Sequence, residues 1–195
     1  MAEEKESRES ARLRSSRVFL LPNLSKRLPD TFGHLIFWFL CIGGIVLDLW
    51  AKAAVFRYLS TKPGYSVTIM QGFFNLVTAL NYGAFLGLFG GQSIILVLVS
   101  FIALTVVLSI FLFGGSKSRC FQGALGLLAA GICGNLYDRL FNAGGVRDFI
   151  DVCFWPGKHW PAFNIADTLL CIAVGLIILC SFIQKPCRRH DQPHK

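Results

Sequence analysis

The stretch 131–167, GICGNLYDRLFNAGGVRDFIDVCFWPGKHWPAFNIAD, gathers most of the carboxylates of an otherwise apolar chain. Only five acidic residues, all of them Asp, occur between positions 31 and 190, and four of them lie in this stretch. The five are Asp48, Asp138, Asp148, Asp151 and Asp167. Because ionisable groups are expensive in an apolar setting, a chain that keeps them in one cluster is expected to use them.

The composition is typical of an integral membrane protein. Of the 195 residues, 54% are hydrophobic and 15% are charged, whereas soluble domains carry about 25% charged residues. The length fits one compact membrane domain. The net charge of +8 does not indicate a nucleic-acid partner, because the basic residues concentrate in the two tails, where anionic membrane lipids are the better-matched partner.

Four long apolar segments predict four transmembrane helices, since about 20 apolar residues cross the hydrocarbon core. The fold class is therefore an all-α membrane protein with a small extramembrane β/loop platform between helices 1 and 2. In that platform, 65–70 resembles a short strand and 73–80 fits a strand or an interfacial helix. A loop is expected at 142–161. The four predicted spans are 31–56, 84–113, 120–137 and 163–184.

Three regions follow from this pattern. Residues 1–30 contain every Glu and are expected to form a partly disordered cytoplasmic tail, 31–184 to form the four-helix membrane domain, and 185–195 to form a basic cytoplasmic tail. With four spans, both tails share one side, which then holds thirteen of the 19 Lys and Arg residues. The positive-inside rule places that side in the cytoplasm.

On this topology, the unusual polar residues of all four helices fall at the outer end of the membrane domain. Scattered structural polar residues would not be expected to converge on one membrane depth. The set comprises Asp48 and Lys52 in helix 1, Asn81 before helix 2, Asn135, Asp138 and Arg139 in helix 3, and Asn164 and Asp167 at helix 4.

Several of these charged side chains have an evident structural interpretation. Asp48 and Lys52 are four residues apart, so they share a helical face and can pair. Arg139 can bridge neighbouring carboxylates bidentately. Asp151 can cap or pair with Arg147.

Asp148 and Asp167 lack a cationic partner at helical spacing. If the 142–161 loop folds Asp148 back onto helix 4, the two carboxyls face each other, one pKa rises and the pair shares a proton. That state suits peptide hydrolysis, because the ionised member takes a proton from water while the protonated member hydrogen-bonds the scissile carbonyl. The residues also leave open a proton-relay or transport role, and a structural role in an assembly factor.

Other catalytic chemistries find little support. The seven cysteines show no CxxC or other metal-ligand spacing, and HExxH, GxSxG and P-loop motifs are absent from the sequence. His159 falls on the outer side with no Ser or Cys motif to pair with. No metal or cofactor is therefore predicted.

Five short motifs resemble those of the signal peptidase II family of lipoprotein signal peptidases. Each motif is weak alone, but five in the family's order and in a four-helix setting are specific, and the resemblance covers about 32–184. The motifs are DLWAK at 48–52, NYGAF at 81–85, GICGNLYDR at 131–139, VRDFID at 146–151 and FNIAD at 163–167.

The resemblance implies an aspartic endopeptidase of the bacterial inner membrane. Its substrates would be diacylglyceryl-modified prolipoproteins, which it would cleave just before the lipidated Cys. Its other partners would be membrane lipids, and the enzyme is expected to be a monomer. Asp148 and Asp167 would be the catalytic dyad, with part of 57–90 and the 142–161 loop forming a platform and flap. The residues implied to line or support the site are Asn81, Asn135, Arg139, Asn164, Asp48, Lys52, Gly131 and Asp138.

Overall fold

The computed structural model describes residues 28–83, 91–116 and 118–183. Within them the chain runs through one helix, two strands, two helices, two strands and a last helix. Of the predicted tails, 1–30 and 185–195, only 28–30 belong to the described residues.

Four helices are each long and apolar enough to cross a membrane. They are α1 (Thr31–Leu59), α2 (Ser93–Phe113), α3 (Arg119–Phe141) and α4 (Ile165–Ile183). The four predicted spans are therefore confirmed as helices. Helix 2 was predicted from position 84, but 84–90 lie outside the described residues and the helix begins only at Ser93. Gly91 precedes it with φ of +80°, a conformation that interrupts a right-handed helix.

Side chains at the helix starts explain where two of the spans begin. Asp30 caps α1 by accepting a hydrogen bond from the Gly33 amide at 3.0 Å, and Ser118 caps α3 through the Phe121 amide at 3.4 Å. Asp30 also pairs with Arg119, which joins the two helix starts. The Arg119 guanidinium holds the pKa of the Asp30 carboxyl well below its usual range.

Helix α3 is the central span, as its small residues predict. Ala124, Ala129 and Ala130 are fully buried, and a Cβ added to Gly126 would lie 2.7 Å from the carbonyl oxygen of Phe37 on α1. Glycine is therefore required where α1 and α3 touch backbone to backbone.

The apolar core fills the space between α1, α2 and α3. Phe37 on α1 stacks on Phe111 of α2, with ring centroids 3.9 Å apart. The other buried members of this cluster are Cys41, Val107, Leu125 and Ala129. This packing holds α1, α2 and α3 together, and the polar residues lie at the opposite end of the bundle.

A four-stranded antiparallel sheet covers one end of the bundle. Its strands are β1 (Ser66–Met70), β2 (Phe74–Asn81), β3 (Val146–Trp155) and β4 (Lys158–His159), hydrogen-bonded in that order. A short 3₁₀ turn at Pro63–Tyr65 leads into β1.

The prediction for 142–161 is wrong. The sequence predicts a loop there and a platform only between helices 1 and 2. In the structure β3 and β4 lie within 142–161 and form half of the sheet. The register pairs Ala79 of β2 with Asp148 of β3, and Asn81 with Val146. The apolar residues of β3 gain burial only through this long-range pairing, which local pattern does not reveal.

Candidate active site

The polar residues singled out in the sequence meet where the helix bundle abuts the sheet. Strand β3 supplies Asp148, the first turn of α4 supplies Asp167, and Asn164 immediately precedes α4. Asn135 lies on α3 and Asn81 ends β2. Side-chain hydrogen bonds connect all five residues.

The Asp148 carboxylate is only 2% exposed and accepts a hydrogen bond at each oxygen. Asn164 Nδ2 donates to Oδ1 at 2.6 Å, and Asn81 Nδ2 donates to Oδ2 at 3.1 Å. Burial, together with the nearby charge of Asp167, raises the pKa of Asp148 to about 6, although the two amide hydrogen bonds act in the opposite direction. The side chain therefore keeps a proton more readily than an ordinary Asp.

Asp167 is half-buried and is fixed by its position at the start of α4. Its Oδ1 accepts from Asn135 Nδ2 at 2.8 Å, and its Oδ2 accepts from the Asn164 amide at 3.1 Å. In return, Asn164 Oδ1 accepts from the Asp167 amide at 3.0 Å. This reciprocal arrangement satisfies orphan amides of the first helical turn and orients the carboxylate.

Asn164 is the residue that both carboxylates share. Its side chain is fully buried and also donates to Asn135 Oδ1 at 3.1 Å. The side-chain amide of Asn164 thus binds Asp148 and α3, and its backbone amide binds the Asp167 carboxylate, so one residue holds both carboxylates.

Beneath this layer lies a fully buried ionic cluster. Lys52 Nζ is 2.7 Å from Asp48 Oδ2 and 3.2 Å from Asp138 Oδ2, and all three residues have 0% exposure. Lys52 also donates to Asn135 Oδ1 at 3.1 Å. Asp48 Oδ1 accepts from the Ala166 amide at 2.8 Å, which ties α1 to the start of α4. The predicted pairing of Asp48 with Lys52 is confirmed.

Asp138 pairs with a cation that the sequence analysis assigned elsewhere. Arg147 donates to Asp138 Oδ1 from NH2 at 2.7 Å and from Nε at 3.1 Å, and its amide donates to Oδ2 at 3.0 Å. The predicted pairing of Asp151 with Arg147 is therefore wrong. Arg147 and Asp151 share one face of β3, but four residues of extended strand separate them by about 13 Å, so Arg147 meets Asp138 of α3 while Asp151 meets His159 of β4.

Arg139 was expected to bridge carboxylates, but among the described residues it forms no ion pair. One guanidinium nitrogen donates to the carbonyl oxygen of Gly83 at 3.3 Å. Its Nε is buried without a hydrogen-bond partner in the described part of the chain. Other parts of the Arg139 side chain line the cleft next to the two carboxylates.

A cleft of about 650 Å³ opens beside these groups. Asn81, Asn135, Arg139, Asp148 and Asp167 form its polar end, and Gly131 lies in its wall. Most of the remaining wall is apolar and comes from three helices: Val99 and Ala103 of α2, Ile132 of α3, and Leu170 and Cys171 of α4. Asp48, Lys52 and Asp138 lie behind the wall as support.

Two glycines of α3 permit this close assembly. A Cβ on Gly134 would lie 2.5 Å from Asp48 Oδ2, and one on Gly131 would lie 2.6 Å from the Ala166 carbonyl oxygen. The helix can therefore approach α4 and the ionic cluster only with glycine at these positions.

We expect Gly134→Ala to lower the free energy of unfolding by about 1–3 kcal/mol, because the methyl group displaces a buried carboxylate. The matched control is Gly175→Ala in α4, where an added Cβ meets no atom within 4 Å. That substitution should raise stability by about 0.5–1 kcal/mol through helix propensity. Unfolding in detergent measures both, and equal effects would contradict this account of the α3 packing.

One wall of the cleft consists of residues that were not singled out from the sequence as site residues, namely Trp160, Pro161, Ala162 and Phe163. Trp160 and Pro161 belong to the segment predicted as a loop and implied to form a flap, and Phe163 belongs to the predicted fourth span. A signal was present, however, because two aromatic residues and a proline immediately precede Asn164, and an apolar segment next to a polar cluster is typical of a binding cleft.

Comparisons with known proteins identify the family of the chain. The family model described as signal peptidase II matches residues 40–183. A lipoprotein signal peptidase from Rhodopirellula baltica is 37% identical over 164 residues, covering 76% of this chain and 72% of the relative. One from Geobacter sulfurreducens is 35% identical over 145 residues, covering 73% and 88%. A solved bacterial membrane enzyme aligns with a TM-score of 0.68 at 28% identity, covering 87% of this chain and 98% of that one.

Proposed function

Since this chain belongs to the signal peptidase II family and is a lipoprotein signal peptidase, we propose that it works as an aspartic endopeptidase with Asp148 and Asp167 as its catalytic pair. It removes signal peptides from diacylglyceryl-modified prolipoproteins by cleaving just before the lipidated Cys. The observation that carries this proposal is the sharing of Asn164 by the two carboxylates at the polar end of an apolar cleft.

In the proposed reaction the pair holds one proton and activates one water molecule. Asp148 carries the shared proton, in keeping with its raised pKa, and hydrogen-bonds the scissile carbonyl oxygen. Ionised Asp167 takes a proton from water as the water oxygen bonds to the carbonyl carbon. The C–N bond then breaks, Asp167 passes the proton it took from water to the leaving amine of the lipidated Cys, and the signal peptide departs with a new carboxyl group that carries the water oxygen. No covalent enzyme intermediate forms.

The surroundings support this chemistry. The Arg139 guanidinium lines the cleft beside the two carboxylates and supplies positive charge for the oxyanion that develops on the scissile carbonyl, and such preorganised electrostatic stabilisation is usually the largest single contribution to catalysis. Asn81 and Asn135 each fix one carboxylate. Lys52 in turn fixes the Asn135 amide, so the ionic cluster holds the catalytic groups in position.

The proposed topology places this chemistry where the substrate is anchored. The chain is a multi-pass bacterial membrane protein, and charge counting supports cytoplasmic tails with the catalytic pair near the outer face of the inner membrane. A lipid-bearing Cys holds its preceding peptide bond at that interface. The acyl chains and signal helix then lie along the apolar cleft wall between α2, α3 and α4.

A transport or relay function is not favoured. Between Gln122 and Asn135, helix α3 carries only Gly, Ala, Leu, Ile and Cys. This central helix therefore offers no polar group that would carry a proton or ion from one end of the bundle to the other.

The raised pKa of Asp148 predicts how kcat/KM depends on pH. The proposed mechanism needs the pair singly protonated, and Asp148 loses its proton as pH rises through about 6. We therefore expect kcat/KM to fall about tenfold per pH unit above this value, with an apparent pKa that belongs to the pair. Asn81→Ala removes a hydrogen bond that favours the ionised form, so its descending limb should move to higher pH. A limb that moves to lower pH would contradict the assignment.

The proposal is tested by incubating purified protein in detergent with a diacylglyceryl-modified prolipoprotein and EDTA. We expect mass spectrometry to show a mature product that begins with the lipidated Cys, and acid-quenched enzyme of unchanged intact mass. The same precursor without the diacylglyceryl group is the control and should be cleaved far more slowly. A substrate adduct on the enzyme, or loss of activity with EDTA, would overturn the aspartic mechanism.

A further inference from the structure

We propose that His159 and Asp151 form a positioning pair that holds Trp160 in the wall of the cleft and thereby sets the affinity for the apolar part of the substrate. Neither side chain lines the cleft, and the proposed mechanism uses neither. This inference rests on the proposed peptidase function and assigns to it a substrate-positioning element.

The pair is well defined geometrically. His159 Nδ1 lies 2.8 Å from Asp151 Oδ1 and 2.9 Å from Oδ2, so the ring nitrogen meets both carboxylate oxygens. Asn75 Nδ2 donates to Asp151 Oδ2 at 2.8 Å, and Thr68 Oγ1 donates to Asn75 Oδ1 at 2.9 Å. One chain of side-chain hydrogen bonds therefore crosses all four strands and ends on β4.

Strand β4 needs this support because it is only two residues long. Its pairing with β3 is irregular, with partners Cys153 and His159 at one point and Trp155 and Lys158 at the other. Beyond it, the Trp160 amide donates to the Val152 carbonyl at 2.8 Å. A two-residue strand with so few ladder bonds is weak on its own, so even the modest contribution of a half-exposed side-chain pair helps to fix the hairpin.

The hairpin leads directly into the cleft wall. Trp160 follows His159 in the chain, and the wall ends at Phe163, whose amide and carbonyl bond to β3 at Ile150. The segment is thus anchored separately at its two ends. Loss of the His159 anchor weakens the hold on the Trp160 end without removing its amide bond to Val152, while the Phe163 end, beside Asn164 and the carboxylates, stays in register.

Trp160 occupies a position that affects substrate binding. It lines the main cleft, and together with Val152, Phe154 and Phe163 it also lines a second, apolar cavity of about 430 Å³. The indole ring therefore stands between two spaces that suit hydrocarbon. Its placement decides how much apolar surface the cleft offers to a lipidated substrate.

The test is steady-state cleavage of the diacylglyceryl-modified precursor by single variants. His159→Phe keeps the ring shape but removes the nitrogen, and we expect it to raise KM about fivefold with kcat within about twofold of the parent, in line with a half-exposed pair. Asp151→Asn should act in the same direction. His159→Gln, which retains a donor of similar reach, should restore most of the affinity. Lys158→Gln, the exposed neighbour in β4, is the matched control and should leave both constants unchanged.

A double variant separates positioning from general destabilisation. Because His159 acts through Trp160, His159→Phe combined with Trp160→Ala should raise KM no more than Trp160→Ala alone. Three results would overturn the proposal. The first is a double variant in which the two single increases in KM multiply. The others, both in His159→Phe alone, are an unchanged KM and a fall in kcat without a rise in KM. Failure of the proposed peptidase mechanism would be seen in a different experiment, as turnover that remains when Asp148 or Asp167 is replaced by Asn.

Discussion

Asp148→Asn and Asp167→Asn should each lower kcat for prolipoprotein cleavage by at least about 10³-fold, since general acid–base groups contribute about 10²–10⁴-fold and the two act as one unit. An amide neither takes a proton from water nor shares one with its partner. Both oxygens of Asp148 accept hydrogen bonds, one from Asn81 and one from Asn164. In Asp148→Asn the new side-chain NH₂ group replaces one of these oxygens and therefore places a donor against a donor.

The falls in kcat caused by the two single substitutions should not combine in the double variant. Removal of either carboxyl ends the sharing of a proton, so the double variant Asp148→Asn, Asp167→Asn should be about as inactive as each single one. Single-turnover cleavage with a sensitive gel or mass assay measures the residual rates. Asp30→Asn is the matched control, since it removes an Asp that caps α1 and pairs with Arg119, away from the carboxylate cluster. Full activity in either single variant would remove that residue from the catalytic pair.

Lys52→Met should lower the free energy of unfolding by about 3–5 kcal/mol, the usual result of deleting one partner of a buried ion pair. Methionine fills a similar volume but leaves Asp48 without its cation and Asp138 with Arg147 alone, both at 0% exposure. The loss should also release the Asn135 amide that binds Asp167, so residual folded protein should cleave poorly.

Chemical or thermal unfolding in detergent measures this effect, with Lys62→Met as the control. Lys62 lies just after α1 over the ring of Tyr58 and is partly exposed, so its loss should change stability by less than about 1 kcal/mol. Adding Asp48→Asn to Lys52→Met removes the orphaned charge and should recover part of the stability. If Lys52→Met and Lys62→Met were equally mild, the ionic cluster would not be a source of stability.

The helices could be predicted because lipid imposes a simple rule. A span must be long, apolar and internally hydrogen-bonded, and the four segments satisfy that rule without reference to one another. The third helix could even be placed at the centre from its glycines and alanines. Helix ends were less certain, since the start of α2 depends on a positive φ at Gly91.

The sheet and the partners of the charges could not be predicted in the same way. Strand β3 is stabilised by β2, although Asn81 and Val146 are far apart in the chain, and no local pattern encodes that pairing. The same is true of Arg147 and Asp151, which lie about 13 Å apart along β3 and pair with residues of two other elements, α3 and β4. The motif-bearing residues, by contrast, meet at one place, because all of them lie toward the same end of the bundle, in the second half of α1 and α3, at the start of α4, or in the strands that cover that end.

The order of the sheet also bears on how the protein is made. Strands β1 and β2 come from the chain between the first two helices, whereas β3 and Asp148 come from the chain between the last two. A nascent chain with only its first half in the membrane therefore presents an isolated hairpin, which is marginal on its own, and lacks both proposed catalytic carboxylates. The proposed peptidase is consequently inert throughout its own insertion and gains activity only when the final helix docks.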